Sequence, residues 1–209
     1  MKTFFNKDIF IIALSVFFLA GCSKPRDFFP DANNPGLSRF TSRGYDIVSA
    51  YIDDTAYANP TVPFSLFTFG NSPVLIYMIH TNTAFDTLHI SWNIAYSDTT
   101  IKNAAPYDSL FLLIPVSKPF TENDFLALQG KRFTEDSTTN ISIRLNSYFN
   151  TVTPTGPAGV YFVKIDSVPG NTVPAEYSFS GLFEGNIGNN IQITKGRFDF
   201  YIDPSQINF

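Results

Sequence analysis

The stretch from Thr87 to Tyr96 constrains the fold of this chain more than any other. Large apolar side chains alternate there with smaller or polar ones: the first set is Leu88, Ile90, Trp92, Ile94 and Tyr96, and the second is Thr87, His89, Ser91, Asn93 and Ala95. A period of two residues places successive side chains on opposite faces of a β-strand. We therefore expect a strand that holds Trp92 in the core and turns His89 toward water.

Further strands are predicted on both sides of this one. The continuously apolar run Val74–Ile79 predicts a strand that is buried on both faces. Downstream, Ile141, Ile143 and Leu145 alternate with polar residues, which predicts a strand with one buried face.

The end of the chain has the pattern of a β-hairpin. Gly188-Asn189-Asn190 is a turn signal between two aromatic-rich arms. The apolar positions of these arms are Tyr177, Phe179 and Phe183 in the first, and Ile191, Ile193, Phe198, Phe200 and Ile202 in the second. In the second arm the alternation changes phase between Ile193 and Phe198. A β-bulge at Lys195-Gly196, with a positive φ at Gly196, restores the alternation.

One short helix is predicted among the strands. Thr121 has the character of an N-cap residue, and Glu122 and Asp124 place negative charge in the first turn. We expect this helix to end near Gly130.

The composition favours strands as well. The chain contains 23 Phe and 10 Tyr residues but one Trp and two Met, and aromatic side chains fit the half-buried surface of a pleated sheet. Alternating strands at short spacing, with turn signals between them, predict an all-β fold with two packed antiparallel sheets, a β-sandwich. A flattened β-barrel is the alternative. We expect at most one short helix in this fold, after a cleaved N-terminal signal helix.

The N-terminus has the pattern of an export signal. Lys2 and Lys7 precede an apolar run that ends at Ala20 and is shorter than the roughly 20 residues a membrane-spanning helix needs. The sequence Leu19-Ala20-Gly21-Cys22 then resembles the lipobox of bacterial lipoproteins. An ordinary cleaved signal that leaves a free thiol is the alternative.

The lipobox resemblance implies a membrane anchor. Cleavage would fall between Gly21 and Cys22, the Cys22 sulfur would receive a diacylglycerol, and the new amine would be acylated, for example with palmitate. Two or more acyl chains hold a protein stably on a membrane, whereas one chain binds only marginally. The chain then divides into a signal peptide (1–21), a flexible tether rich in Pro and Asn (22–40) and a single β domain (41–209).

Composition and motifs argue against several other classes of protein. Cys22 is the only cysteine, so neither a disulfide nor a thiolate metal site is expected. Loss of the signal takes the formal charge from −4 to −5, and an acidic chain without a basic run is not expected to bind nucleic acid. His80 and His89 are the only histidines and are predicted to be surface or partly buried residues, so we expect neither a metal nor another cofactor.

No catalytic constellation is evident in the sequence. The adjacent or closely spaced carboxylates occur in turn-like stretches, where they more often serve as solvated caps than as acid–base pairs; they are Asp53-Asp54, Glu122 with Asp124, and Glu135-Asp136. A Gly-x-Ser-x-Gly nucleophile motif is absent. We therefore predict that the protein is not an enzyme and name no catalytic residue.

Six triplets of Asp, then Ser or Thr, then an aliphatic residue or Thr resemble the O-glycosylation acceptors of exported Bacteroidota proteins. The candidate acceptors are Thr55, Thr87, Thr99, Ser109, Ser137 and Ser167. The alternative is that Asp-Ser and Asp-Thr begin turns before apolar strands.

The β domain resembles a Bacteroidota lipoprotein family of unknown function. The resemblance rests on Val48–Asp53, Gly159–Asp166, the Ser-Gly-x-Phe strand at Tyr177–Phe183, and the closing Ile-Thr-x-Gly-x-Phe strand at Ile191–Phe198. It implies a compact antiparallel β fold and brings no catalytic residues with it.

Three functions follow as hypotheses. The first is a non-catalytic cell-envelope lipoprotein whose β domain binds a glycan, a peptide or a partner protein. The second is an envelope hydrolase whose carboxylates meet only in the fold, and the third is a structural subunit of an envelope complex. We expect an anchor in the outer membrane with the domain facing the periplasm. The sequence Lys24-Pro25-Arg26-Asp27 differs from the acidic run associated with surface export, and surface display is the alternative.

Overall fold

A computed structural model describes residues 30–59, 74–82, 84–96, 107–134, 141–147, 156–168, 176–187, 191–202 and 207. Its elements, in chain order, are β1 (Pro30–Asp31), β2 (Asn34–Ser38), β3 (Ile47–Ile52), β4 (Thr55–Ala58), β5 (Val74–Ile79), β6 (Phe85–Asn93), β7 (Ala95–Tyr96), β8 (Tyr107–Ser117), α1 (Glu122–Leu126), β9 (Arg132–Phe133), β10 (Ser142–Ser147), β11 (Gly156–Val168), β12 (Glu176–Ile187) and β13 (Ile191–Ile202). The predicted all-β class, with one short helix in the described residues, is confirmed.

Eleven of the described strands form one antiparallel sheet, in the order β5-β6-β8-β10-β11-β12-β13-β3-β4-β7, with β9 paired to β11. The sheet curls strongly into a half-barrel, so that β6 faces β12 and β13 across the core. Among the described residues, two pairs join its two halves between β10 and β11, Ser142 with Pro157 and Ile143 with Gly156. The halves pack face to face like the layers of a sandwich, with Trp92 of β6 against Phe183 of β12 and Phe200 of β13, while remaining one sheet.

Trp92 lies at the centre of this packing. It is fully buried, and its ring lies 5.3 Å from that of Phe183 and 6.3 Å from that of Phe200, nearly parallel to both. Stacked aromatic pairs at these distances add to the free energy of area burial. The prediction that Trp92 is a core residue is confirmed.

The prediction that β5 is buried on both faces is wrong. Val74 and Ile76 are buried, whereas Leu75, Tyr77 and Ile79 are 57%, 40% and 39% exposed. Of the two faces of β5, only the one that carries Val74 and Ile76 packs in the core.

His89 departs from its predicted environment in the opposite sense. It lies on the outer face of β6, as its phase requires, but it is only 4% exposed. The rings of Tyr77 and Phe111, from the neighbouring strands β5 and β8, lie 4.4 and 5.3 Å from the imidazole and cover it. The aromatic side chains of both neighbouring strands thus exclude water from this position on the outer face of the sheet.

The predicted hairpin and its bulge are present, with one correction. Phe183 pairs with Gly196 and Gly185 pairs with Ile193, so Thr194 and Lys195 together oppose Glu184. The positive φ falls on Lys195 (52°) and not on Gly196. Gly196 is needed for space instead, because a Cβ there would lie 2.5 Å from the carbonyl oxygen of Phe183.

Helix α1 begins where the sequence predicts. The Thr121 hydroxyl accepts a hydrogen bond from the Asp124 backbone N–H, and the Asp124 carboxylate accepts one from the Thr121 backbone N–H at 2.9 Å. This is a complete capping box. Phe125 anchors the helix in the core, and Gly130 takes a positive φ in the turn that follows.

The prediction of a flexible tether over residues 22–40 is wrong from residue 30 onward. β1 and β2 form a short hairpin, and Leu37 and Ser38 are fully buried. Residues 1–29, including the predicted signal and Cys22, lie outside the described residues. Within the described part of the chain, the structure has no helix of the length and apolar character needed to cross a membrane.

Candidate functional site

A groove crosses the outer face of the sheet over β11, β12 and β13. Its main part, about 450 Å³, is lined by Asn34, Arg132, Phe133, Thr134, Gly159, Val160, Tyr161, Leu182, Phe183, Glu184, Lys195, Gly196 and Arg197. A second hollow of about 310 Å³ shares Thr134, Gly159 and Glu184 with the first and extends along the hairpin. Such volumes are typical of small-ligand sites.

The floor of the groove is built by cross-strand neighbours. Tyr161 of β11 pairs with Leu182 of β12, and Gly159 pairs with Glu184. Gly159 keeps the floor open: a Cβ at this position would lie 3.6 Å from Glu184 Cγ, an ordinary contact, so packing does not demand glycine here. The missing side chain leaves space for a ligand.

The bulge places Lys195 at one end of the groove. The Lys195 Nζ donates to Asn34 Oδ1 at 2.8 Å and lies 5.7 Å from the centre of the Tyr51 ring. The other described non-glycine residues with positive φ are three aspartates, Asp46, Asp53 and Asp54. Aspartate visits this region readily, whereas a residue such as lysine does so at a cost of about 1–2 kcal/mol. Strain of this kind clusters at functional sites.

Arg132 stands at the other end of the groove. The short strand β9 pairs it with Tyr161, and its guanidinium carbon lies 5.4 Å from the centre of the Tyr161 ring. This stacking holds a long and exposed side chain in place. Leu182, 39% exposed, adds an apolar surface beside the ring.

A nearly buried ion pair holds the β1–β2 hairpin against the sheet. The hairpin forms one wall of the groove. Arg197 Nη1 donates to Asp31 Oδ2 at 2.6 Å and to the carbonyl oxygen of Ser38 at 2.9 Å. The Arg197 guanidinium, followed by the Asn34 amide and the Asn33 backbone N–H, holds the pKa of Asp31 well below its usual range. Because Asn34 lines the groove, this wall is in place only when the hairpin is docked.

A second set of polar contacts holds the segment that follows the hairpin. The Asp199 carboxylate, 1% exposed, accepts hydrogen bonds from the backbone N–H groups of Arg43 at 3.0 Å and Gly44 at 2.7 Å, and from the Thr41 hydroxyl. Its donors lie more than 150 residues away in the sequence. The Arg197–Asp31 ion pair and the hydrogen bonds to Asp199 together explain why the segment from the β1–β2 hairpin to Gly44 is held against the sheet and is not a flexible tether.

The carboxylates considered for acid–base chemistry do not meet in the groove. Asp53 accepts from the Gln192 backbone N–H at 2.8 Å, and Asp124 caps α1. Glu122 accepts from the Tyr177 hydroxyl; burial first, and then this carboxylate, raise the pKa of Tyr177 to about 12. Glu135 and Asp136 lie outside the described residues. Among the described residues that line the groove, Glu184 is the only carboxylate.

His80 belongs to a cluster between β5 and β6, away from the groove. The Asp86 carboxylate, 3% exposed, lies 3.0 Å from His80 Nδ1 and 3.2 Å from Lys118 Nζ, and accepts from the Thr81 backbone N–H. These partners, His80 first, lower the pKa of Asp86 to about 2. Over the described ranges, no group of three or more His, Cys, Asp or Glu side chains is placed to hold a metal ion.

The proposed modification sites are dispersed. Ser167 is exposed near the end of β11, whereas Thr55, Thr87 and Ser109 are half-buried in β4, β6 and β8. Thr99, Ser137, Gly21 and Cys22 lie outside the described residues. None of the four described sites lines the groove.

Comparison of the chain with protein-family models gave no match, and comparisons with curated proteins and with solved structures gave none either. A proposal about function therefore depends on the groove itself. Sequence reasoning did not find Arg132, Tyr161 or Glu184 as site residues. The one signal that pointed here was the change of phase at Lys195-Gly196.

Proposed function

We propose that this protein is a non-catalytic cell-envelope lipoprotein, anchored through Cys22, that binds a ligand in the groove over β11, β12 and β13. The observation that carries the proposal is the groove itself, which has a volume of about 450 Å³ and a glycine, Gly159, in its floor. It is lined by the Tyr161 ring and the Leu182 side chain, with charged groups at its ends. The lipobox resemblance supplies the anchor, and the resemblance to Bacteroidota lipoproteins is consistent with the antiparallel β fold.

Binding is favoured over hydrolysis by the distribution of carboxylates. A glycosidase of the common kind needs two carboxyl groups that flank the scissile bond. Glu184 stands alone among the described groove residues, and the other described carboxylates considered above are engaged in caps, turns and ion pairs. We therefore assign Glu184 to ligand contact.

Closing the groove tests the binding proposal. Gly159→Leu fits the strand, since a Cβ is accommodated there, and its side chain fills the floor. On printed arrays of oligosaccharides and of peptides, we expect the wild-type protein to retain ligands that Gly159→Leu does not. Ser167→Leu is the matched control, because it adds the same side chain to an exposed position of β11 outside the groove.

The array experiment has two outcomes that would count against the proposal. Equal retention by the wild type and Gly159→Leu would place binding elsewhere. Cleavage of a retained ligand that stops in Glu184→Gln would make the protein an enzyme.

The anchor is tested separately. Replacement of Cys22 by Ser removes the acceptor sulfur, so we expect the variant to leave the membrane fraction and appear as a folded protein in the soluble fraction. Immunoblotting of fractionated cells measures this. Retention of Cys22→Ser in the membrane fraction would refute the anchor.

A further inference from the structure

Among the residues that line the groove, cations outnumber carboxylates: they are Arg132, Lys195 and Arg197 against Glu184. Arg132 and Lys195 line it, and neither has a carboxylate partner in the described part of the chain. Arg197 is already paired with Asp31, and Glu184 is the one described groove carboxylate. In a chain with a net charge of −4, two available cations at opposite ends of one groove indicate an anionic ligand.

Arg132 is arranged to recognise a carboxylate. Its guanidinium stacks over the Tyr161 ring, which fixes the planar group and reduces the entropy lost when it binds. A fixed guanidinium binds a carboxylate through two parallel hydrogen bonds. The adjoining Leu182 offers an apolar surface, such as the C–H face of a sugar ring would contact.

The floor favours a saccharide over a peptide. An extended peptide binds to sheets mainly by adding a strand to a free edge, where backbone groups are available. Here the floor crosses β11 and β12, which pair with each other through Tyr161–Leu182 and Gly159–Glu184. Three polar side chains line the groove as well, those of Asn34, Thr134 and Glu184, and such groups can exchange hydrogen bonds with hydroxyl groups.

We propose that the groove binds an oligosaccharide that contains uronic acid residues, with carboxylates at Arg132 and Lys195 and hydroxyls at Asn34, Thr134 and Glu184. This inference rests on the proposed function, because it names the ligand class of the same groove. The span from β9 to β13 covers three strand spacings, about 14 Å, so a short oligosaccharide fits across it.

Calorimetric titration of the full chain in detergent tests the proposal. The probes are tetrasaccharides of galacturonate and of mixed mannuronate and guluronate, each compared with its neutral methyl ester, which has the same sugar backbone. We expect at least one acid to bind at least tenfold more tightly than its ester. We also expect Arg132→Gln to bind that acid no better than the ester.

Two variants separate a specific contact from general charge. Lys131→Gln removes the same charge from the neighbouring exposed residue, which does not line the groove, and should leave the affinity unchanged. Arg132→Lys keeps the charge but loses the planar fork, and should retain only part of the preference for the acid. Both positions are exposed, and unchanged fluorescence of Trp92, the only tryptophan, checks that each variant is folded.

The outcomes distinguish this inference from the proposed function. If acids and esters bind equally and Gly159→Leu abolishes both, the groove is a binding site but its ligand is not chosen by carboxylate. If none of the four probes binds, or if Arg132→Gln and Lys131→Gln weaken binding equally, the uronate proposal is wrong. The array experiment with Gly159→Leu then still decides whether the groove binds ligands.

Discussion

Two buried polar residues on the outer face of the sheet show how neighbours decide what a side chain can do. Asp199 is buried and satisfied, because backbone N–H groups and a hydroxyl converge on its carboxylate. His89 is buried under Tyr77 and Phe111, and neither ring nitrogen has a hydrogen-bond partner among the described residues. A buried polar group without partners lowers stability. Asp199 therefore stabilises the fold, whereas the buried His89 lowers its stability.

His89 should make stability depend on pH. Burial first, and then the nearby Arg144 charge, lower its pKa to about 4 from the ordinary 6.5. Between these values the unfolded chain takes up a proton that the folded chain excludes, so stability falls as the pH falls through this window. We expect urea denaturation to show that the wild type loses about 1–2 kcal/mol more than His89→Leu between pH 7 and pH 5. Parallel pH dependence of the two proteins would contradict a buried neutral imidazole.

The bulge in β13 is the element that shapes the groove. It places Thr194 and Lys195 opposite Glu184, and it re-aims the Lys195 side chain toward the β1–β2 hairpin. Bulges often occur next to functional sites, where they redirect a side chain. The left-handed backbone at Lys195 is the conformation that glycine adopts most easily. The backbone conformation therefore does not favour lysine at this position.

A pair of variants measures that backbone effect. Lys195→Gly and Lys195→Ala both lose the ammonium group, but alanine keeps the strain of the positive φ. Thermal denaturation should find the glycine variant more stable by about 1 kcal/mol. At Lys131, where φ is not positive, the order should reverse, with alanine the more stable. The same order at both positions would show that Lys195 is not strained.

At the scale of the whole molecule, the curled sheet depends on contact between its halves. Packing across the core holds β6 against β12 and β13. Trp92 makes that contact through its stacking on Phe183 and Phe200. The groove lies on the other side of β12 and β13, and its rigidity therefore depends on this core.

Trp92→Leu should destabilise the whole molecule. Removing a fully buried ring leaves a cavity, and large-to-small changes of this kind cost about 3 kcal/mol. The loss is partly offset because the change also removes the indole N–H, which has no hydrogen-bond partner among the described residues. Circular dichroism during urea denaturation measures the loss. Phe85→Leu, on the same strand but 50% exposed, should change stability by less than about 0.5 kcal/mol. Similar losses for both variants would contradict the central role of Trp92.

Local patterns predicted the parts of the structure that depend on local physics. The alternation around Trp92, the N-cap at Thr121 and the bulge at Lys195 each follow from a few adjacent residues. The candidate site was not predicted, because its members come from β2, β9, β11, β12 and β13. Arg132 lies in no motif, the motif that contains Tyr161 does not mark it as a site residue, and only the fold brings the two together.

The sequence by itself determined the all-β class, the core face of the central strands, the short helix and the position of the bulge, since side-chain period and turn chemistry are local properties. Tertiary structure alone decided that residues 30–45 dock on the sheet, that His89 is dry and that a groove opens over Gly159. These features arise from residues far apart in the chain, such as Asp31 with Arg197 and Thr41 with Asp199. Such pairs leave no periodic signal, because their energy comes from partners that meet only after the sheet has curled.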